Sequence, residues 1–141
     1  MAGKHGWNSL DDYLHVMRRV VEDDPFVISN GLGFQLSPEI GEVSGDIICH
    51  GDVILNVHKY FEIRAAGDRR EARTVRYSYH ARYKGGNDIL RYDNAHRFAG
   101  YRTPHHKHEF DSRGDDTVTH TGMEWPHLSE VLDELKMMVW G

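Results

Sequence analysis

Residues 53–63 read VILNVHKYFEI, and this stretch decides the fold class. Every second residue from Val53 to Ile63 is apolar, except Lys59, and most of the residues between them are polar. Such alternation with a period of two predicts a β-strand that buries one face. Residues 75–83 alternate in the same way and set a tyrosine-rich face against a polar one that carries Arg76, Ser78, His80 and Arg82. The sequence therefore predicts adjacent strands with a core face and a cationic face.

Helical patterns flank these strands. Ser9 is placed to cap a helix with an apolar stripe at residues 10, 13, 14, 17, 20 and 21, and Pro25 ends that helix. Pro126 opens a second helix near the end of the chain. We predict one α+β domain over 1–141, with its motifs at about 45–109. Its expected architecture is a twisted antiparallel sheet of about four to five strands, with an N-terminal and a C-terminal helix packed on one face.

The sequence also predicts one hairpin and two loops between these elements. Residues 26–28 and 34–36 are expected to pair as a hairpin across Asn30-Gly31. Residues 65–73 read as a polar, basic loop, and residues 111–116 read as a second polar loop.

Composition favours a cytoplasmic protein. The 141 residues include 28% charged residues, and no apolar run approaches the length of a bilayer-spanning helix. The first residues lack the apolar region of a signal peptide. The single cysteine, Cys49, cannot form an internal disulfide bond.

Charge is distributed unevenly along the chain. The net charge is −5, yet residues 64–113 contain twelve basic and six acidic residues. A basic segment inside an acidic chain indicates a surface that attracts an anion, although charge dispersed over strand edges would give the same count.

The densest chemical cluster lies at Pro104-His105-His106-Lys107-His108-Glu109. In an extended chain His106 and His108 point one way, and His105, Lys107 and Glu109 point the other. Two imidazoles on one face suit proton transfer or a metal ion. Two nitrogens are too few for zinc, so Asp93, His96 or His120 would have to complete the set. No metal is expected from this pattern; a polar surface loop is the plainer interpretation.

A second cluster, Arg91-Tyr92-Asp93-Asn94, ends a predicted strand. If Leu90 and Tyr92 face the core, Arg91 and Asp93 project together onto the cationic face. An ordinary ion pair at a strand end would explain the same residues.

The two clusters together resemble the TumE family of toxin components from prokaryotic toxin–antitoxin modules. Strand patterns at 51–57 and 75–79 are also similar to that family, and the resemblance covers about residues 45–109. It implies a toxin whose partner is a helix-turn-helix antitoxin.

From these residues we predict an endoribonuclease that needs no metal or other cofactor and acts on RNA. Histidine serves as base or acid near neutral pH, and arginine stabilises a developing phosphorane. The catalytic residues would be His106, His108, Asp93 and Arg91, and the phosphate-binding residues would be Lys107, Arg76, His80 and Arg82. Two alternatives remain at this point: a non-catalytic module whose basic face docks an acidic partner or nucleic acid, and a metal-dependent hydrolase using the same histidines. Self-association also stays open.

Overall fold

A computed structural model describes residues 4–95 and 103–141. Within those ranges the chain forms nine strands, two α-helices and a short 3-10 helix at Gly122–Glu124. The strands are β1 (Asn8–Ser9), β2 (Val27–Asn30), β3 (Gly33–Leu36), β4 (Ile40–Cys49), β5 (Val53–Ala66), β6 (Arg69–Tyr83), β7 (Asp88–Asp93), β8 (His106–Phe110) and β9 (Asp116–His120). The helices are α1 (Leu10–Asp23) and α2 (Leu128–Trp140).

All nine strands belong to one antiparallel sheet with the order β2-β4-β5-β6-β7-β8-β9, in which β3 also pairs with β4 and β1 with β6. The predicted sheet of four to five strands packed against two helices was therefore wrong: the described residues form a much larger sheet. Alternation revealed the central strands, because each buries one face. The two strands that were not predicted, β1 and β9, are short and mostly exposed, so they carry no such pattern.

The predicted loop at residues 65–73 was also wrong, because β5 and β6 continue through most of it. Arg64 pairs with Glu71 across the ladder, and its Nε donates to the Glu71 carboxylate over 3.0 Å. Arg73 contacts Glu62 in the same way over 2.5 Å. Opposite charges that face each other across the two strands stabilise this segment as a sheet, although its composition is typical of a loop.

The predicted hairpin between residues 26–28 and 34–36 does not form. Both segments pair instead with β4, where Val27 lies opposite Cys49 and Phe34 opposite Val43. The predicted loop at 111–116 is shorter than expected, because Asp116 already belongs to β9.

Both helices pack on one face of the sheet. Ser9 caps α1 by accepting a hydrogen bond from the Asp12 amide, and α1 ends just before Pro25. The helices and strands share one apolar core, which includes Met17 and Val21 of α1, Val131, Leu132 and Leu135 of α2, and Leu55, Val57, Tyr79 and Leu90 of the sheet. Within the described residues, neither helix has the length and apolar character required to cross a membrane.

The opposite face of β5 to β8 carries the polar side chains that alternate with the core residues along these strands. We call it the polar face; its residues include Asn56, His58, Ser78, His80, Arg91, Asp93, His106 and His108. The antiparallel register therefore brings the sequence clusters of β7 and β8 together on the side of the sheet away from the shared core.

Candidate functional site

Three side chains from two neighbouring strands meet on the polar face. Asp93 ends β7 and lies directly opposite His106 on β8, and Arg91 lies opposite His108. Side chains two residues apart on a strand share a face, so both histidines project beside Asp93. We call Asp93, His106 and His108 the triad.

The triad is compact and enclosed. One ligand atom from each of its three residues lies within 4.8 Å of the other two. Asp93 Oδ1 lies 3.0 Å from His106 Nε2. The imidazole rings of His106 and His108 meet edge to face, with 4.8 Å between their centroids. Asp93 is 4% exposed, His106 0% and His108 9%, so this is not the polar surface loop that was one interpretation of the sequence.

Hydrogen bonds to Nδ1 orient both imidazoles. His106 Nδ1 donates to the Pro104 carbonyl over 2.7 Å, and His108 Nδ1 donates to Asp116 Oδ2 over 2.6 Å. Both acceptors lack a proton of their own, which assigns the Nδ1 hydrogen to each ring. Nε2 is then the nitrogen that each ring has left for a further partner, and in His106 it lies 3.0 Å from Asp93 Oδ1. His108 Nε2 is enclosed and has no hydrogen-bond partner among the described residues.

Backbone and side-chain donors hold the carboxylate of Asp93. Arg91 Nε donates to Oδ2 over 2.8 Å, and the Ala95 amide donates to Oδ1 over 3.1 Å. Arg91 is thus tied to the edge of the triad, and its side chain is about one-third exposed. It can neutralise Asp93 and still present part of its guanidinium group to solvent.

The remaining polar-face residues of the prediction are farther from the triad. His80 lies opposite Arg91 on β6, and its Nε2 contacts Asp88 Oδ1 at 2.6 Å. Arg76 and Arg82 project from the same face of β6, where Arg76 is exposed and Arg82 is partly exposed. They place positive charge on the polar face without contacting the triad.

Lys107 is not part of this arrangement. It projects from the core side of β8, where its ammonium group contacts Glu134 of α2 and lies 2.9 Å from Glu109. Burial disfavours its charge, but the hydrogen bonds to both carboxylates outweigh this effect and raise the pKa of Lys107. Lys107 therefore lies on the opposite face of β8 from His106 and His108, where its salt bridge with Glu134 links the sheet to α2.

His105 also lies on the core side. Its ring stacks with Tyr77 and Trp125, and the Tyr77 hydroxyl lies 2.9 Å from His105 Nδ1. Burial lowers the pKa of His105. The three histidines at 105, 106 and 108 thus divide between a core stack and the triad.

The sequence analysis missed Asp116, which orients His108. Asp116 begins β9, and its hydrogen bond with His108 lowers the pKa of its carboxyl group. The turn residues at 111–115 and the short following run were the available signal for a hairpin with β8. His120, considered as a metal ligand, lies opposite His106 on β9. His96 lies outside the described residues.

The comparisons with known proteins agree with the resemblance at these clusters. A family model described as Toxin TumE matches residues 17–138, from within α1 to near the end of α2. Neither the curated proteins nor the solved structures give a match. TumE proteins are toxin components of toxin–antitoxin systems, so the protein partner of this chain is an antitoxin. The matched range contains the entire triad, and the chain belongs to the TumE toxin family.

Proposed function

We propose that this toxin cleaves RNA and that the triad is its catalytic centre. The observation that carries the proposal is the meeting of one carboxylate and two imidazoles at one enclosed point. Burial of ionisable groups opposes folding unless other contacts compensate for it, and such groups concentrate at functional sites. A surface that only docks a partner requires no such convergence, which makes a non-catalytic module the weaker alternative.

RNA suits the surroundings of the triad. Arg76, Arg82 and Arg91 place positive charge on the polar face, where a phosphate backbone would be attracted. RNA also carries its own nucleophile. Its 2′-hydroxyl attacks the neighbouring phosphorus, the bond to the 5′-oxygen breaks, and the proton lost from the 2′-oxygen is balanced by one gained by the 5′-oxygen. The protein has only to supply proton acceptors, donors and positive charge.

The proposed roles differ between the two histidines. In cleavage without a metal ion, His108 would use Nε2 as the proton acceptor, with Asp116 fixing the ring from the other side. His106 is fully enclosed, and its two nitrogens face Pro104 and Asp93. Cleavage without a metal, as expected from the sequence, requires both rings to reach the substrate. Because His106 is fully buried, its ring is poorly placed to contact RNA. The burial therefore supports the triad as a functional site more strongly than it supports cleavage without a metal ion.

The proposed partner is a helix-turn-helix antitoxin, and the proposed compartment is the cytoplasm, where the RNA substrate resides. The type of antitoxin rests on the family resemblance alone. It is tested by co-expressing the neighbouring gene: a helix-turn-helix product that restores growth supports the assignment, and an antitoxin of another type overturns it.

Induced expression of the full chain without its antitoxin tests the ribonuclease proposal. Wild type should stop growth and fragment total cellular RNA. Asp93→Asn and His108→Ala should lose both effects, whereas His58→Gln should keep them. His58 is the matched control, because it is another carboxylate-paired histidine of the polar face, with Glu42 Oε1 at 2.7 Å from its Nε2. Intact RNA during growth arrest would overturn RNA as the target, and full toxicity of the folded triad variants would overturn the site.

A further inference from the structure

We infer that the triad is a binding site for one divalent transition-metal ion. The protein ligands would be Nε2 of His106, Nε2 of His108 and the carboxylate of Asp93. The role of this ion in RNA cleavage rests on the proposed function, but its binding does not.

The first argument is the direction of the ligand atoms. Each histidine uses Nδ1 for a hydrogen bond to an acceptor, which leaves Nε2 available to a metal ion; in His106 this atom already lies 3.0 Å from Asp93 Oδ1. This is how metal-binding histidines are held, with the nitrogen away from the metal bonded to a carbonyl or a carboxylate. Pro104 supplies the carbonyl for His106, and Asp116 supplies the carboxylate for His108.

The second argument is the enclosed Nε2 atom of His108. It finds no hydrogen-bond partner among the described residues, although it is removed from water. A buried acceptor without a partner is unfavourable, and a metal ion at this point would satisfy it.

The third argument is the size and charge of the site. Ligands about 2.0–2.2 Å from a tetrahedral ion lie roughly 3.3–3.6 Å apart. The atoms of the triad lie within 4.8 Å of one another, so small side-chain adjustments would close the site. A dication would also offset the negative charge of Asp93. Among the described residues, Arg91 is the one permanently charged side chain that forms a salt bridge with Asp93.

The ligand set selects the class of metal. Two imidazoles and one carboxylate suit Zn²⁺, Co²⁺ or Fe²⁺, whereas Mg²⁺ and Ca²⁺ prefer sites made of oxygen ligands. Three protein ligands are also typical of catalytic zinc sites, in which the fourth position is open to water or substrate. An ion with one open position would contact RNA without requiring the enclosed His106 ring to do so.

Titration with Co²⁺ tests the binding, because cobalt in such a site absorbs visible light. The full chain, stripped with a chelator, should bind one Co²⁺ with a visible absorption band that Zn²⁺ abolishes and Mg²⁺ does not. Asp93→Asn and His108→Ala should lose the band, with far-UV circular dichroism reporting whether each variant folds. His58→Gln should keep it.

Asp116→Asn provides a test that does not remove a ligand from the interior. Asp116 is exposed, so its substitution should leave the fold intact while loosening His108. We expect Co²⁺ affinity to fall about 10–100-fold, the usual cost of removing a carboxylate behind a metal-binding histidine. Unchanged affinity in Asp116→Asn, or no Co²⁺ band in wild type, would overturn the metal site.

Measuring RNA cleavage on the same samples separates this proposal from the previous one. A bound metal with intact RNA would overturn the ribonuclease proposal and leave the metal site standing. RNA cleavage that continues in chelator, without a Co²⁺ band, would overturn the metal site and leave the ribonuclease proposal standing. Activity that chelator abolishes and Zn²⁺ or Co²⁺ restores would support both.

Discussion

Asp93 and His106 are directly opposite each other on β7 and β8, with 3.0 Å between Oδ1 and Nε2. Both side chains are buried, so a change in one leaves a polar group of the other without compensation. We expect Asp93→Asn and His106→Gln each to reduce the free energy of unfolding by about 1–3 kcal/mol. The double variant should lose less than the sum, as measured by urea unfolding of all four proteins in the absence of metal.

An exposed pair on the same face provides the control for this cycle. Asn56 Nδ2 donates to Asp46 Oδ1 over 3.0 Å, and both residues are accessible to solvent. Asp46→Asn should change the unfolding free energy by less than about 0.5 kcal/mol. Additive losses at Asp93 and His106 would contradict a direct interaction between them.

His105 should matter for stability and not for the chemistry of the triad. His105→Ala removes a ring from the stack with Tyr77 and Trp125 and leaves the buried Tyr77 hydroxyl without this partner. We expect a loss of about 1–3 kcal/mol in unfolding free energy, and RNA cleavage per folded molecule close to that of wild type. Adding Tyr77→Phe should cost less in His105→Ala than in wild type. A folded His105→Ala protein without activity would instead place His105 in the site.

Lys59 should make the stability of the protein depend on pH. Its side chain is buried, with Nζ 3.9 Å from Met17 Sδ, and burial lowers its pKa from 10.5 to about 7. Between these values the unfolded chain binds a proton that the folded chain does not, so stability should rise as the pH increases from 7 toward 10. Burial also lowers the pKa values of His5 and His127, which are therefore neutral in this window.

Lys59→Met tests this origin of the pH dependence. Methionine fills similar space without a charge, so the variant should have the higher melting temperature at pH 7. Its advantage should narrow as the pH approaches 10, because the lysine of the unfolded wild-type chain then begins to lose its proton as well. Parallel pH profiles for the two proteins, measured by thermal unfolding, would contradict the prediction.

Cys49 should be unreactive in the folded protein. It is 1% exposed, and burial, assisted by the nearby charge of Asp24, raises its pKa to about 12. The thiolate is the reactive form, so an aromatic disulfide reagent at pH 8 should modify almost none of it. Denaturant should release one reactive thiol per chain. Rapid modification under native conditions would show that this part of the core opens.

Alternation along single strands predicted much of the site. It placed His106 and His108 on one face and His105 on the other, and it put Arg91 beside Asp93, because side-chain direction in a strand follows from position alone. It could not predict the contacts of Lys107. The anchoring of that residue by Glu134 depends on how α2 crosses the sheet, and no local pattern records this.

Pairing between distant segments limited the fold prediction. The turn signal at Asn30-Gly31 predicts a hairpin between β2 and β3, yet each of these strands pairs instead with the long strand β4. The charged run at 65–73 looked like a loop because composition cannot show that Arg64 and Glu71 face each other. Asp116 was missed for the same reason, since its role depends on the register between β8 and β9.

The position of the triad along the chain has a consequence for the synthesis of the toxin. Asp93 and the two histidines come late in the sequence, and the carboxylate that orients His108 comes later still, at residue 116. Every nascent chain that stops before this residue lacks the completed centre, even if its first six strands have already paired. If the triad is the toxic centre, as proposed, toxicity therefore requires most of the chain to have been translated.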